Sequence, residues 1–175
     1  MNETTQHESF LESFLVMIKT TKKIPEGIYN TGTFIFLDLD NFGECVRTMG
    51  WSEYTPNPIS AFLTVEVEHY IHDRFNVLIW GLDQKRGTEE AIILSYEPIE
   101  SIQVWCCDLI RDVKTIAEEF NANTSLSCGI ATGIVSETKA IADNRSKTIS
   151  RDPLRRLAYK ALRQAKKKGG NRLMA

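Results

Sequence analysis

The chain has no cysteines at zinc-ligand spacing, no long apolar run and no large excess of charge of either sign. Its four cysteines are Cys45, Cys106, Cys107 and Cys128, and none forms a C-x-x-C pair. That argues against a zinc module and fits a reduced, cytoplasmic protein. No stretch approaches the roughly 18–20 apolar residues that span a bilayer, and the opening MNETTQHE is polar and acidic rather than a signal sequence. A formal net charge of −2 and a pI near 6.0 set aside broad binding to nucleic acid or to an anionic membrane by bulk charge. No internal repeat and no low-complexity segment is present.

What is present is enough for one core: 175 residues, 42% of them hydrophobic. The organising stretch is Thr33 to Pro58, TFIFLDLDNFGECVRTMGWSEYTPNP. It opens as a buried strand and ends in two acids, Asp38 and Asp40. On a strand, a spacing of two puts both carboxylates on one face, a few ångströms apart. Like charges that close raise each other's pKa unless a cation lies between them. Mg²⁺ suits such a pair, because it takes oxygen ligands and leaves positions open for phosphates. The plainer reading is a strand running out into solvent with two acids at its exit.

Before this stretch, residues 8–23 place Phe10, Leu11, Phe14, Leu15 and Ile18 at helical spacing, with Lys19, Lys22 and Lys23 in the last turn and Pro25 and Gly27 as a stop. Residues 1–30 therefore read as an amphipathic helix and linker, free to pack on the domain, to pair with a second copy or to join a partner. Residues 31–175 read as the main domain. Its first strand spans roughly 32–39. Glu44 to Trp51 is a short helix or loop, and Thr55-Pro56-Asn57-Pro58 is a rigid turn. A helix runs from Ile59 or Ser60 to Phe75, with His69 and His72 read as a solvated flank rather than a metal face. A hairpin follows: strand 76–82, turn 83–87, return strand 88–96 opening with Glu89 and Glu90. A long helix from Pro98 to Phe120 has an apolar stripe that makes Cys106 core filler. Ser125 to Ile134 is a strand of small and β-branched residues. Residues 136–150 are polar and without clear period. A last helix starts at Pro153 behind an Asp152 cap and ends at Gly169-Gly170, before a short edge strand. This order predicts an α+β fold, the ferredoxin-like βαββαβ palm, with an antiparallel sheet, helices on one face and an extra N-terminal helix. In such a sheet Asp38 and Asp40 can meet Glu89 and Glu90 across neighbouring strands.

The residues in this order resemble the palm domain of the GGDEF nucleotidyl cyclases. LDLDNF resembles the family's first-strand motif, RGTEEAIIL (Arg86 to Leu94) its signature hairpin, SLSCGIATG its fourth strand, and LRRLAYKALRQAKKKGGNRL its last helix. A narrower resemblance joins DNFG, Asp40 to Gly43, and TPNP, Thr55 to Pro58, to the first domain of archaeal GTP cyclohydrolase III, itself built from palm domains. Arg86 then falls where that enzyme has a hairpin arginine. The spacing between the two motifs is longer here.

The resemblance implies a Mg²⁺ ion held by Asp38, the backbone carbonyl of Leu39 and an acid of the hairpin, with Lys166 on phosphates. Asp40, Asn41, Phe42 and Gly43 lie where the motif approaches the nucleotide. Asn41 and Asn57 are candidates for contacts to base or ribose, and Asn57 is equally a turn cap. Three positions depart from the family, one of them Glu90 in place of the signature's phenylalanine. Thr88 aligns with the usual metal carboxylate, so that Glu89 or Glu90 would have to serve through a shift or bulge. Gly170 aligns with the arginine of the last helix. The expected function is Mg²⁺-dependent binding and turnover of a purine nucleoside triphosphate, GTP ahead of ATP, by phosphoryl or nucleotidyl transfer or by cyclohydrolase-like hydrolysis. Asp38, Asp40 and Glu89 would carry the metal and Lys166 the phosphates, in a homodimer or larger oligomer. The alternative is a degenerate, non-catalytic nucleotide-sensing or dimerisation module.

Overall fold

The computed structural model describes residues 31–72, 76–135, 145–150 and 152–175. The helix expected over 8–23 and most of the ambiguous stretch over 136–150 lie outside the described residues. The elements in chain order are β1 (Thr31–Asp40), α1 (Phe42–Met49), α2 (Pro58–His72), β2 (Asn76–Trp80), β3 (Glu90–Ser95), α3 (Ile99–Glu119), β4 (Ser125–Ile134), α4 (Arg145–Ser150), α5 (Pro153–Lys167) and β5 (Leu173–Met174). They build one five-stranded sheet in the order β2-β3-β1-β4-β5. The first four strands pair antiparallel, and β5 joins β4 in parallel. This is the βαββαβ palm expected from the order of elements, with β1 in the middle.

β1 is buried on both faces, which explains why its sequence is a continuous apolar run rather than an alternation. Ile35, Leu37 and Leu39 point to a core shared with α1, α2 and α3, including Leu63, Val67, Ile102, Leu109 and Val113. Phe34 and Phe36 point the other way, to a smaller core with Leu154, Ala158 and Leu162 of α5. The expectation of helices on one face therefore holds for the two crossover helices, α2 and α3. The last helix covers the opposite face. It can do so because Gly129 of β4 carries no Cβ: one there would run into the backbone of Ala158 and Leu162. Helix and strand meet backbone to backbone at this point, which places the C-terminal end of α5 over the acidic end of β1.

The hairpin differs from the expected strand limits. β2 stops at Trp80, with a bulge between Leu78 and Trp80, and β3 begins at Glu90 rather than at Thr88. The reason is local. Thr88 turns inward and is fully buried, its N–H donating to Thr64 Oγ1 at 2.9 Å. Thr64 in turn donates to Thr88 Oγ1 at 2.9 Å. Gly87 lies so close to Ser60 that any side chain would collide with it, and its φ of +86° suits glycine. Asn57 sits beside this contact and caps α2, its Oδ1 accepting the N–H groups of Ile59 (3.1 Å) and Ser60 (3.0 Å). Pro58 at the first helical position completes the start. The TPNP turn and the hairpin are thus one packed unit beside the end of β1. Among the described residues no helix is long and apolar enough to cross a membrane.

Candidate functional site

The register between β1 and β3 sets Asp38 directly opposite Glu90, and that between β1 and β4 sets Asp38 opposite Ser127 and Asp40 opposite Ser125. Paired residues of neighbouring strands share a face. One end of the sheet, on the α5 side, therefore carries Asp38, Asp40, Glu90 and the two serines. Phe34 and Phe36 occupy the same face further down, so a dry base supports a charged rim.

Two cations reach this rim. Lys166, near the end of α5, donates to Asp38 Oδ1 at 2.7 Å and to the Leu39 carbonyl at 3.2 Å, and stands 3.5 Å from Asp40 Oδ1. Arg145, the first residue of α4, donates from Nε to Glu90 Oε2 at 2.5 Å, with a terminal nitrogen 3.7 Å from Asp38 Oδ2. Its guanidinium also lies over the Tyr159 ring, 5.4 Å from the centroid. Tyr159, Leu162 and Lys166 follow one another at helical spacing on the inner face of α5. Three carboxylates against two cations leave the cluster short of positive charge.

The acids are held differently. Asp40 is only 8% exposed and is bound by neutral donors. Ser127 donates to both of its oxygens at 2.9 Å, while Ser125 (2.8 Å) and the Asn171 N–H (3.0 Å) donate to Oδ2. Its carbonyl accepts from Thr124 at 2.6 Å. Asp38 is more open. Burial pushes its carboxyl above the ordinary 3.8, against the pull of Lys166 and then Arg145. Burial likewise raises Glu90 above 4.5, opposed by Arg145. Glu89 is exposed just outside β3, and its carboxyl is also raised, by partial burial against the opposing charge of Arg86. Its carbonyl accepts the Leu39 N–H at 2.9 Å, so the backbone beside Asp38 is pinned to the hairpin.

The structure thus brings Asp38, Leu39, Asp40, Glu90 and Lys166 together. Asn41 adjoins them in the left-handed conformation (φ 54°) at the start of α1, and Phe42 is buried in the larger core. Gly43 has open space around it. Arg86 is exposed on the hairpin and donates to the Glu53 carbonyl at 3.1 Å. Asn57 is 7% exposed, with its amide oxygen committed to the α2 cap. Thr88 faces α2, away from the rim, and Glu90 takes the place opposite Asp38. Gly170 has a φ of +71°, and a Cβ there would stand 2.5 Å from Asp40 Oδ2. The close approach of this turn to Asp40 requires glycine. Ser125, Ser127 and Arg145 were not among the residues singled out from the sequence. The alternation of small polar residues in SLSCG, on the same face as Asp38 and Asp40, carried the signal for the serines.

Among the described residues, no three histidine, cysteine, aspartate or glutamate side chains converge into a metal cage. Asp40 Oδ2 accepts from three donors, and Oδ1 accepts from Ser127 with Lys166 3.5 Å away. The remaining donors are the Asp38 and Glu90 carboxylates and the Leu39 carbonyl, all oxygen. This is a Mg²⁺-type set, since that ion is usually held by one or two carboxylates with water and substrate phosphates completing its shell. The Lys166 ammonium already bridges Asp38 and the Leu39 carbonyl, so these atoms can share a cation.

The chain matches no family model and no curated protein. Among solved structures, it is similar to the crystal structure of the guanylyl cyclase Cya2, with a TM-score of 0.41 and 12% identity over 77% of this chain and 70% of that one.

Proposed function

We propose that this chain binds a purine nucleoside triphosphate, GTP ahead of ATP, through Mg²⁺ at the rim formed by Asp38, Leu39 and Glu90. The observation that carries the reading is the cation bridge itself: Lys166 on both Asp38 and the Leu39 carbonyl, with Glu90 opposite. Asp38, Glu90 and the carbonyl would hold the ion. Bound there, it would neutralise phosphate charge and make phosphorus, or a ring carbon, a better electrophile. Lys166 would keep one N–H on the Asp38 side and offer others to phosphate oxygens, since an ammonium has three donors. Asp40 would fix the strand end and the turn after α5 instead of ligating metal. Asn41, next to Asp40, and Arg86, on the hairpin before Glu90, would meet the base and further phosphates. Turnover by phosphoryl or nucleotidyl transfer, or by cyclohydrolase-like hydrolysis, follows from the same metal. A dimer would suit a reaction joining two nucleotides.

The second reading is a non-catalytic nucleotide-sensing or association module. It is favoured by Thr88, which is sealed under α2 and offers no ligand, and by the pairing of Asp38 and Glu90 with the chain's own cations.

Thermal unfolding with GTP, ATP, CTP and UTP, each with and without Mg²⁺, separates these readings from a chain that binds no nucleotide. A ligand at about 100 times its Kd stabilises by about 2.7 kcal/mol, or roughly 5–11 °C for a chain of this size. A Mg²⁺-dependent shift with a purine triphosphate is expected. Product analysis after incubation with that nucleotide then distinguishes enzyme from sensor. No shift with any nucleotide overturns the proposal.

A further inference from the structure

The last-helix motif supplies one cation to the rim, Lys166, and the position aligned with the family's arginine is Gly170. That position has no room for a side chain, because Asp40 Oδ2 would be 2.5 Å from the Cβ. A second cation nevertheless arrives, from a different element and a different part of the sequence. Arg145 stands at the start of α4, which packs against α5 through the buried Thr148, whose carbonyl accepts from Arg155 at 3.4 Å. Its side chain is 34% exposed, so solvent reaches part of it. Tyr159 underlies it, and Glu90 fixes Nε.

We propose that Arg145 is a triphosphate-binding residue of this site, held on Glu90 and Asp38 until a divalent cation takes those carboxylates. The inference rests on the nucleotide reading given above. A guanidinium has five donors in a planar fork suited to two phosphate oxygens at once. Here Nε is hydrogen-bonded to Glu90, a further hydrogen bond goes to Tyr159, and the contact to Asp38 at 3.7 Å is a loose ion pair. A guanidinium with five N–H donors has others left for a phosphate. A divalent ion shared by Asp38 and Glu90 supplies the charge that Arg145 now supplies. The guanidinium, still seated over Tyr159, is then available beside the phosphates the ion would carry. Arg145 thereby takes the role that the crowding at Gly170 denies to the last helix, and its pairing with Glu90 makes phosphate binding depend on metal.

The test is calorimetric titration of the full chain with inorganic tripolyphosphate and with GTP, each with and without Mg²⁺. With Mg²⁺, Arg145→Gln should weaken both ligands about ten- to hundredfold, the loss expected for a charge-assisted hydrogen bond. Guanosine, which has no phosphate, should bind the variant and the wild-type chain equally. Without Mg²⁺, Glu90→Gln should bind tripolyphosphate more tightly than wild type by releasing Arg145, and adding Arg145→Gln should cancel that gain. The metal-free comparison decides the question even if Arg145→Gln alone folds poorly. Wild-type binding that Arg145→Gln leaves unchanged, or a Glu90→Gln variant no tighter than wild type without metal, overturns the role of Arg145 alone. Wild type that binds neither GTP nor tripolyphosphate in Mg²⁺ overturns the nucleotide reading, and this inference with it.

Discussion

Asp38 and Asp40 are two residues apart on one strand and face the same way, yet their surroundings are opposite. On the β4 side, Asp40 is buried and hydrogen-bonded by two serines and a backbone N–H, with Lys166 further off at 3.5 Å. On the β3 side, Asp38 is partly open and answered by the ends of two long side chains, Lys166 and Arg145. Short neutral donors on rigid strands fix a carboxylate in place. Flexible cations at the rim hold one loosely and can be exchanged for another cation. The strand end thus separates a structural acid from an available one, and the following substitutions probe that division.

The largest effect on stability is expected at Asp40. Asp40→Ala would strand Ser125, Ser127 and the Asn171 N–H around a cavity, at a cost of about 3 kcal/mol. For a chain of this size that lowers the melting temperature by about 6–12 °C, measured by thermal unfolding without ligand. Asp38→Ala should change stability by less than about 1 kcal/mol, because its partners are part-exposed ion pairs. Melts with Mg²⁺ and GTP should show it losing the nucleotide-dependent shift. Equal destabilisation by the two substitutions would erase the distinction between them.

Gly170→Ala comes next. It forces a side chain into the left-handed region and against Asp40, and about 1–3 kcal/mol of destabilisation is expected from denaturant unfolding. In the Asp40→Ala background part of that cost should disappear, since the clash is with the Asp40 carboxylate.

The smallest effect concerns protons. Glu90 is held above its ordinary 4.5, chiefly by burial. A carboxyl with a raised folded pKa binds its proton more readily folded than unfolded. Its contribution to stability is full below the unfolded value and is lost as pH rises through the folded one. Metal-free wild type should therefore gain stability relative to Glu90→Gln as pH falls from neutral toward the ordinary carboxyl value of 4.5. Parallel melting curves for the two proteins across that range would show that Glu90 is not perturbed.

Much of this arrangement was legible in the sequence. The apolar run before Asp38 predicted a buried strand, the order of periodic segments predicted the palm, and Pro153 behind Asp152 predicted the start of α5, where Asp152 accepts the Leu154 N–H at 2.7 Å. Lys166 could be placed by the last-helix motif. The choice of partner for Asp38 across the hairpin was narrowed only to Glu89 or Glu90. It depends on Thr88 turning inward to Thr64 and on the bulge in β2, both tertiary effects with no local signature. Gly170 read as a missing arginine, whereas its closeness to Asp40 explains it. Arg145 was invisible because it follows a polar stretch without period, and only the packing of α4 on α5 carries it to the rim. Asn57 could be read as a ligand contact or as a cap, and the cap accounts for its buried amide oxygen.

The most direct test of the central claim is calorimetric titration of GTP into wild type and Asp38→Ala at a series of Mg²⁺ concentrations. Affinity should rise with Mg²⁺ in wild type and stay weak and flat in the variant. The same Mg²⁺ dependence in both proteins would place the metal, and the nucleotide with it, somewhere other than the end of β1.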